Sequence, residues 1–175
     1  MIKLHDKHFV PYLTAAEIEL TVARMAADIE VEMGEEVPVF IGVLNGAFMF
    51  LSDLVKHYKK DCEVTFVKLA SYEGMQSSNN VKQLMGLDAS LEGKTVIVVE
   101  DIVDTGATVE VLKQMFEVHK IKQLRIAALF FKPEAYTKTI ALNYTGFNIP
   151  NKFIVGYGLD YDGLGRNLPE IYQLK

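Results

Sequence analysis

Apolar and polar residues follow one another with two different periods along the chain, and these periods predict helices and strands in turn. Residues 14–17 (TAAE) form a capping-box pattern, after which apolar residues recur on one helical face at Ile18, Val22, Met25, Ile29 and Met33. Residues 37–44 (VPVFIGVL) are typical of a buried strand, and a second helical face follows at Ala47, Leu51, Leu54, Val55 and Tyr58. The pattern therefore begins with a long helix and continues with a strand–turn–helix unit.

Four more apolar runs predict strands, at residues 64–70, 94–100, 124–131 and 153–155, with a helix after 94–100 as well as after 37–44. The run 94–99 is continuously apolar and β-branched after Lys94, which is typical of a strand covered on both faces. We expect an α/β fold in which helices flank a mostly parallel, twisted sheet. The polar segment 72–80 (YEGMQSSNN) is equally compatible with a passive surface loop and with a mobile lid.

The composition narrows the class of protein without identifying it. The 175 residues are 50% hydrophobic and contain no linker-like stretch, which favours a single domain over residues 1–175. The net charge is -5, with 18 Lys and Arg against 23 Asp and Glu, and no basic tract favours nucleic acid as a partner. The chain has no membrane-length apolar run and no leader-like start, and its single Cys62 cannot form an intramolecular disulfide. We expect a soluble, cytoplasmic protein with no membrane contact.

The chemically richest stretch is residues 98–108 (VVEDIVDTGAT), in which Glu100, Asp101 and Asp104 interrupt an apolar run. Gly106 opens a segment of helical apolar spacing, so residues 105–108 should form a strand-to-helix turn with unpaired backbone N–H groups. Ligands of open α/β sheets bind beyond the carboxyl ends of the strands, and this turn lies at such an end. The stretch is therefore a candidate binding site.

The chemistry of these groups limits the kinds of ligand that could bind there. The N–H and hydroxyl groups of the turn suit a phosphate at a helix start. The carboxylates repel phosphate, but they accept hydrogen bonds from hydroxyl groups and bind hard cations such as Mg²⁺. This combination favours a ribose 5-phosphate, although acidic residues that only cap the helix and face solvent would leave the same pattern.

Other strand ends add polar groups to the same predicted edge. Residues 44–46 (LNG) end a strand before a helix and offer a second turn that a phosphate can approach closely. Lys132 precedes Pro133, which biases it towards an extended backbone near that edge. Asp160 and Arg166 follow the last predicted strand in a Gly-rich stretch.

The stretch VVEDIVDTGAT resembles the signature by which phosphoribosyltransferases bind phosphoribosyl pyrophosphate (PRPP). The tail FIVGYGLDY, followed by RNLP, resembles the hypoxanthine-guanine members of that family, and the resemblance runs from about Val39 to the C-terminus. It implies a type I phosphoribosyltransferase fold with a small hood built from the N- and C-terminal segments. It also implies purine salvage, in which the phosphoribosyl group passes from PRPP to hypoxanthine or guanine with Mg²⁺ as cofactor. The products would be IMP or GMP and pyrophosphate, and the family implies a homo-oligomer.

The resemblance also implies roles for individual residues. Asp104 matches the proposed catalytic base, and the expected PRPP-binding residues are Glu100, Asp101, Thr105, Gly106, Ala107 and Thr108. Pyrophosphate is expected at Leu44, Asn45, Gly46 and Arg166, and the purine at Lys132, Phe153, Ile154 and Asp160. Mg²⁺ is expected at Glu100, Asp101 and Asp160, and a closing lid at Ser71 and Tyr72.

Two departures from the family pattern affect the pyrophosphate site. Asn45 stands where the family often has a lysine, which removes a side-chain cation. Residues 162–165 (DGLG) replace a bulkier stretch and leave the register of Arg166 open. The residues also allow two other functions, namely an RNA-binding regulator on the same fold and a doubly wound signalling domain whose acidic cluster holds a cation.

Overall fold

The computed structural model describes residues 1–70, 82–85 and 91–175, and within these ranges the chain builds two sheets and three helices. The elements are β1 (Ile2–Leu4), β2 (Lys7–Leu13), α1 (Ala15–Met33), β3 (Val39–Leu44), α2 (Phe48–His57), β4 (Glu63–Ala70), β5 (Lys82–Met85), β6 (Thr95–Val103), α3 (Ala107–Glu117), β7 (Gln123–Phe131), β8 (Tyr144–Asn148), β9 (Ile154–Val155) and β10 (Ile171–Leu174). The predicted lid residues Ser71 and Tyr72, and the segment 72–80, lie outside the described residues.

The larger sheet has six strands in the order β5-β4-β3-β6-β7-β8. Five of them run parallel, and β5 pairs antiparallel with β4. Helices α1 and α2 pack on one face and α3 packs on the other, so the central strand β6 is buried on both sides. The prediction of a mostly parallel sheet flanked by helices is confirmed.

Helix α1 begins as its sequence predicts. The Thr14 hydroxyl accepts a hydrogen bond from the Glu17 amide at 3.3 Å, and the Glu17 carboxylate accepts one from the Thr14 amide at 2.8 Å. This capping box satisfies two donors that the first turn would otherwise leave unpaired. The five apolar positions predicted to share one face are all buried.

The prediction that residues 153–155 continue the parallel sheet is wrong. The fifth parallel strand is β8, whose sequence YTGFN lacks a strong apolar signal because it is an edge strand. Residues Ile154–Val155 instead pair with β10 in a second, antiparallel sheet of order β1-β2-β10-β9. Strands β1 and β2 were not predicted either, because their pairing with each other and with the C-terminal β10 leaves no local signal in the sequence.

The second sheet, which we call the hood, is built from the N- and C-terminal segments of the chain. Its buried residues Ile154 and Ile171, and Tyr157 in the turn after β9, belong to the same core cluster as the apolar faces of α1 and α2. The single domain over residues 1–175 stays a prediction. None of the helices found in the described ranges has the length and apolar character needed to cross a membrane.

Candidate active site

The acidic pair of Glu100 and Asp101 lies near the carboxyl end of β6, which extends three residues further than predicted. Glu100 is buried, with 4% of its surface exposed, and Asp101 is partly buried. Both line a cavity of about 400 Å³ that is also bounded by Gly46 and by the first turn of α3, at Ala107 and Thr108. The carboxyl end of the central strand therefore opens into a space of ligand size.

Burial makes the ionised form of the acidic pair costly. It raises the pKa of Glu100 well above its ordinary value, and the neighbouring carboxylate of Asp101 adds to the rise. Burial likewise raises the pKa of Asp101 from 3.8 to about 6, while a hydrogen bond from the Ile102 amide at 2.8 Å and the charge of Arg166 oppose the rise. Two adjacent carboxylates in this setting are suited to a ligand that brings hydroxyl donors or a cation.

The turn after β6 forms a second, smaller cavity of about 90 Å³. Its lining includes Glu100, Asp104 and the whole predicted phosphate turn, residues 105–108. Gly106 caps α3 without a side-chain hydrogen bond, and the Ala107 amide donates to the Thr105 hydroxyl at 3.4 Å, which leaves the next N–H groups of the first turn for a ligand. Gly106 has a φ of +84°, and a Cβ there would lie 2.4 Å from the Tyr136 ring. Only glycine fits this turn without moving its neighbour.

The loop at residues 44–46 reaches the acidic pair through its backbone. The peptide bond between Leu44 and Asn45 is cis. A Cβ placed on Gly46 would lie 1.6 Å from the Asp101 carboxylate oxygen Oδ2, so the loop passes directly over that carboxylate. The structure thus brings the predicted pyrophosphate loop and the predicted ribose site together.

Arg166 reaches the same place from the Gly-rich turn that follows β9. Its guanidinium donates to the Gly158 carbonyl oxygen at 2.7 Å and forms an ion pair with Asp160, also at 2.7 Å. A Cβ on Gly158 would lie 2.0 Å from the Gly46 carbonyl oxygen, which sets the hood turn against the loop at 44–46. These contacts fix the position of Arg166 although two of the four residues before it are glycines.

The three carboxylates predicted to bind metal do not form a ready-made cage. Asp160 offers one oxygen to Arg166 and the other to the Gly163 amide at 2.7 Å. Across the described parts of the chain, no group of three or more His, Cys, Asp or Glu side chains converges as a metal site would require. A metal here would need oxygen ligands from a bound substrate as well, which is a common arrangement for Mg²⁺.

Of the residues predicted to read a purine, Lys132 lies beside Asp104. The Lys132 ammonium forms an ion pair with the Asp104 carboxylate at 2.9 Å, and 9% of the lysine side chain is exposed against 43% of the aspartate side chain. Ile154 is buried, whereas Phe153 is 45% exposed. The expectation that Lys132 ends near the acidic cluster is confirmed by this contact.

Sequence reasoning missed the segment that supports the phosphate turn. Thr137 donates to the Thr105 carbonyl oxygen through its hydroxyl at 3.2 Å and through its amide at 3.3 Å. Lys138 pairs with Glu110 of α3 at 2.6 Å, and the Tyr136 ring packs against Gly106. This segment has no regular secondary structure and no periodic signal, so only the tertiary structure reveals its role.

Comparisons with known proteins agree on one family. Residues 12–162 match the model described as the phosphoribosyl transferase domain. The hypoxanthine-guanine phosphoribosyltransferase of Bacillus subtilis is 38% identical over 164 residues, which cover 93% of this chain and 91% of that protein. The enzyme of the same name from Aquifex aeolicus is 37% identical over 177 residues, covering 100% of this chain and 99% of that protein.

Solved structures give the same result. A crystal structure of a hypoxanthine-guanine phosphoribosyltransferase from Bacillus anthracis matches with a TM-score of 0.90 at 38% identity, covering 97% of this chain and 98% of that one. A hypoxanthine phosphoribosyltransferase from Staphylococcus aureus matches with a TM-score of 0.89 at 35% identity, covering 95% and 91%.

The buried acidic pair should lower the stability of the ligand-free protein, and Asp101→Asn tests this. At pH 7.5 we expect the substitution to raise the free energy of unfolding by about 1 to 2 kcal/mol, because a neutral amide keeps the shape and removes a poorly solvated charge. The raised pKa of Asp101 means that the wild type loses stability as the pH rises towards 6 and recovers it as the pH falls towards 3.8. The gap between the two proteins should therefore shrink at pH 4.5 in urea unfolding experiments.

The exposed carboxylate of Asp61 provides the control, since Asp61→Asn should change stability little at either pH. A variant Asp101→Asn that is less stable than the wild type at pH 7.5 would show that the carboxylate stabilises the empty site.

Proposed function

The chain belongs to the phosphoribosyl transferase family, and on this basis we propose that it transfers the phosphoribosyl group of PRPP to a 6-oxopurine. The acceptors are hypoxanthine and guanine, the products are IMP or GMP and pyrophosphate, and the process is purine salvage. The observation that carries the proposal is the buried pair of Glu100 and Asp101, which opens into a cavity beside a helix-start turn. A sugar diol and a phosphate on one ligand satisfy both features.

Each part of PRPP has a set of groups that suits it. The acidic pair accepts hydrogen bonds from the ribose hydroxyls, and the turn at residues 105–108 donates to the 5-phosphate. The loop at residues 44–46 and Arg166 bind the pyrophosphate. Asn45 brings no positive charge to that loop, so Arg166 carries more of the electrostatic stabilisation than in relatives with a lysine there.

Magnesium fits the donor set of the site. Carboxylate oxygens are preferred Mg²⁺ ligands, and the burial that raises the pKa values of the acidic pair supports a cation there, because its charge would offset that of the two carboxylates. Glu100 and Asp101 would hold the ion, with Asp160 contributing after exchange of its present partners. Bound Mg²⁺ supplies positive charge that offsets the charge on the pyrophosphate.

In the transfer step the purine N9 forms a bond to the anomeric carbon of the ribose, and the bond from that carbon to pyrophosphate breaks. Asp104 accepts the proton from the purine N7, which keeps the base neutral as the new bond forms. Lys132 donates a hydrogen bond to the 6-oxo group, while Phe153 stacks on the ring and the Ile154 backbone meets its edge. Positive charge that develops on the ribose is stabilised by the groups already in place.

The ion pair of Lys132 and Asp104 supports this assignment. N7 and the 6-oxo group are neighbours on one edge of the purine, and the two side chains lie 2.9 Å apart at the cavity edge. One side chain can accept a proton and the other only donates, which matches the N7–H and the 6-oxo acceptor. The two alternative functions account for less, because a net charge of -5 does not favour RNA and a cation site alone leaves the phosphate turn without a role. A cytoplasmic location and a homo-oligomer follow from the family resemblance and stay predictions.

The proposed function is tested by incubating the pure protein with PRPP, Mg²⁺ and one purine at a time, and measuring nucleotide formation by chromatography. We expect product with hypoxanthine and guanine and none with adenine. Activity should disappear in excess chelator and return with added Mg²⁺, since pyrophosphate beside three carboxylates carries too much negative charge without a metal. Nucleotide formation from adenine alone, or full activity in chelator, would overturn the proposal.

Lys132→Gln tests how the 6-position is read. The ammonium only donates hydrogen bonds, whereas an amide presents either a donor or an acceptor, so the preference for hypoxanthine over adenine should narrow. The rate with hypoxanthine should fall because a charged hydrogen bond is lost. Steady-state kinetics with hypoxanthine, guanine and adenine provide the measurement. An unchanged hypoxanthine-to-adenine ratio would show that another group reads this position.

Asp104→Asn should reduce kcat by about 10² to 10⁴ while leaving the affinity for PRPP within a few fold, because it removes a proton acceptor and preserves the shape. Turnover is measured with guanine, and PRPP affinity is measured by calorimetry. Asp61→Asn is the matched control, since it makes the same chemical change at an exposed position. Near-normal turnover of Asp104→Asn would exclude Asp104 as the base.

A further inference from the structure

Phe153 stands at the edge of the hood with two other aromatic rings behind it. The centroid of its ring lies 5.9 Å from that of Tyr161, in an edge-to-face arrangement, and 6.3 Å from that of Phe9. Phe9 and Tyr161 also contact each other, at 6.0 Å. Phe9 is fully buried and Phe153 is nearly half exposed. The rings of Phe9 and Tyr161, which we call the aromatic brace, thus support Phe153 on one side while part of its ring remains exposed.

The backbone alone does not determine where the Phe153 ring points. Its carbonyl oxygen accepts a hydrogen bond from the Leu174 amide at 2.9 Å, which fixes the main chain to β10. A half-exposed side chain can still change rotamer, and packing decides which rotamer is populated. Aromatic contacts in tilted and edge-to-face arrangements are stabilising beyond the area that they bury, so they favour the rotamer that makes them. Tyr161 and Phe9 therefore set the direction of the ring.

Tyr161 is itself held from outside the predicted site. Its hydroxyl donates to the Asp6 carboxylate at 2.7 Å, and this hydrogen bond lowers the pKa of Asp6 and raises that of Tyr161. Asp6 lies in the turn between β1 and β2. The neighbouring His5 packs edge-to-face on Tyr161 at 5.8 Å and donates from Nε2 to the Asp162 carbonyl oxygen at 3.2 Å.

The turn between β1 and β2 therefore contacts both the hydroxyl group and the ring of Tyr161. Asp6 holds the end of its side chain, and His5 contacts its ring and the residue that follows it. The main chain of Tyr161 is also fixed, because its amide donates to the Leu164 carbonyl oxygen at 2.9 Å and its carbonyl oxygen accepts from the Leu164 amide at 3.1 Å.

We propose that Tyr161, held by Asp6, is a positioning residue that orients the Phe153 ring for stacking on the purine base. The N-terminal hairpin then contributes to purine affinity although it touches neither PRPP nor the reacting atoms. The inference rests on the proposed function, because it presumes that Phe153 stacks on the acceptor base. It predicts that loss of the hydrogen bond between Tyr161 and Asp6 changes the KM for the purine and leaves the KM for PRPP unchanged.

The test is a double-mutant cycle of Tyr161→Phe and Asp6→Ala, assayed with guanine and PRPP. Tyr161→Phe keeps the ring contact and removes only the hydroxyl. We expect each single variant and the double variant to raise the KM for guanine by a similar factor, about threefold to tenfold, because each removes the same hydrogen bond. The KM for PRPP and kcat should stay within about twofold of the wild type.

Tyr172→Phe is the matched control. Tyr172 lies on β10 of the same sheet, and its hydroxyl donates to the Glu170 carboxylate at 2.9 Å, so the variant loses an equivalent bond away from the aromatic brace. It should leave the KM for guanine unchanged. If Tyr161→Phe and Tyr172→Phe alter the KM for guanine equally, or if Tyr161→Phe raises the KM values of both substrates together, the positioning role is overturned.

Phe153→Ala separates a failure of this inference from a failure of the proposed purine site. If Phe153→Ala raises the KM for guanine and Tyr161→Phe does not, Phe153 stacks on the base but Tyr161 does not position it. If Phe153→Ala leaves the KM for guanine unchanged, Phe153 does not stack on the base, and both the purine-site assignment and the inference are overturned.

Discussion

The burial of two adjacent carboxylates at the carboxyl end of β6 is the constraint on which the rest of the site depends. Glu100 and Asp101 are placed where the sheet is covered on both faces, so their charges are poorly solvated and their pKa values rise. A core strand would normally avoid such residues, because an unpaired buried charge is destabilising. The fold tolerates them where a ligand can supply hydroxyl donors and positive charge. The same two carboxylates therefore favour binding of that ligand and lower the stability of the ligand-free protein.

Close backbone contacts connect the buried acidic pair of the parallel sheet to the hood. Gly46 passes over the Asp101 carboxylate, and Gly158 packs on the Gly46 carbonyl oxygen, which leaves no room for a side chain at either position. The turn that carries Gly158 is anchored on its other side, since the Tyr157 hydroxyl donates to Asp53 of α2 at 2.6 Å. A shift of the hood would therefore move the loop at residues 44–46 and Arg166 together. The contact between Gly46 and Gly158 therefore links the loop at residues 44–46 to the turn that holds Arg166.

The hood performs a second task through aromatic packing. The ring of Phe153 packs with those of Phe9 and Tyr161, and Lys132 and Asp104 form an ion pair just beyond the ends of β7 and β6. Under the proposed function, a flat base would stack on the ring of Phe153 and would meet the polar groups of Lys132 and Asp104 at its edge. Among the residues that the structure describes, β9 pairs with β10, which pairs in turn with β2, so strands from both chain ends hold the main chain beside Phe153.

Features that depend on residues close together in the sequence could be predicted without the structure. The capping box before α1, the β-branched run of β6 and the helical spacing after Gly106 are local patterns, and the structure bears each of them out. The stretch from residue 98 to 108 placed the acidic pair beside a helix start, because a strand end and a helix start adjacent in sequence must be adjacent in space. Tertiary structure alone decided that residues 153–155 join the hood, that Gly158 packs on Gly46, and that Asp160 pairs with Arg166. These contacts join segments that are distant along the chain or turns without a periodic signal, and their geometry depends on how the whole core packs.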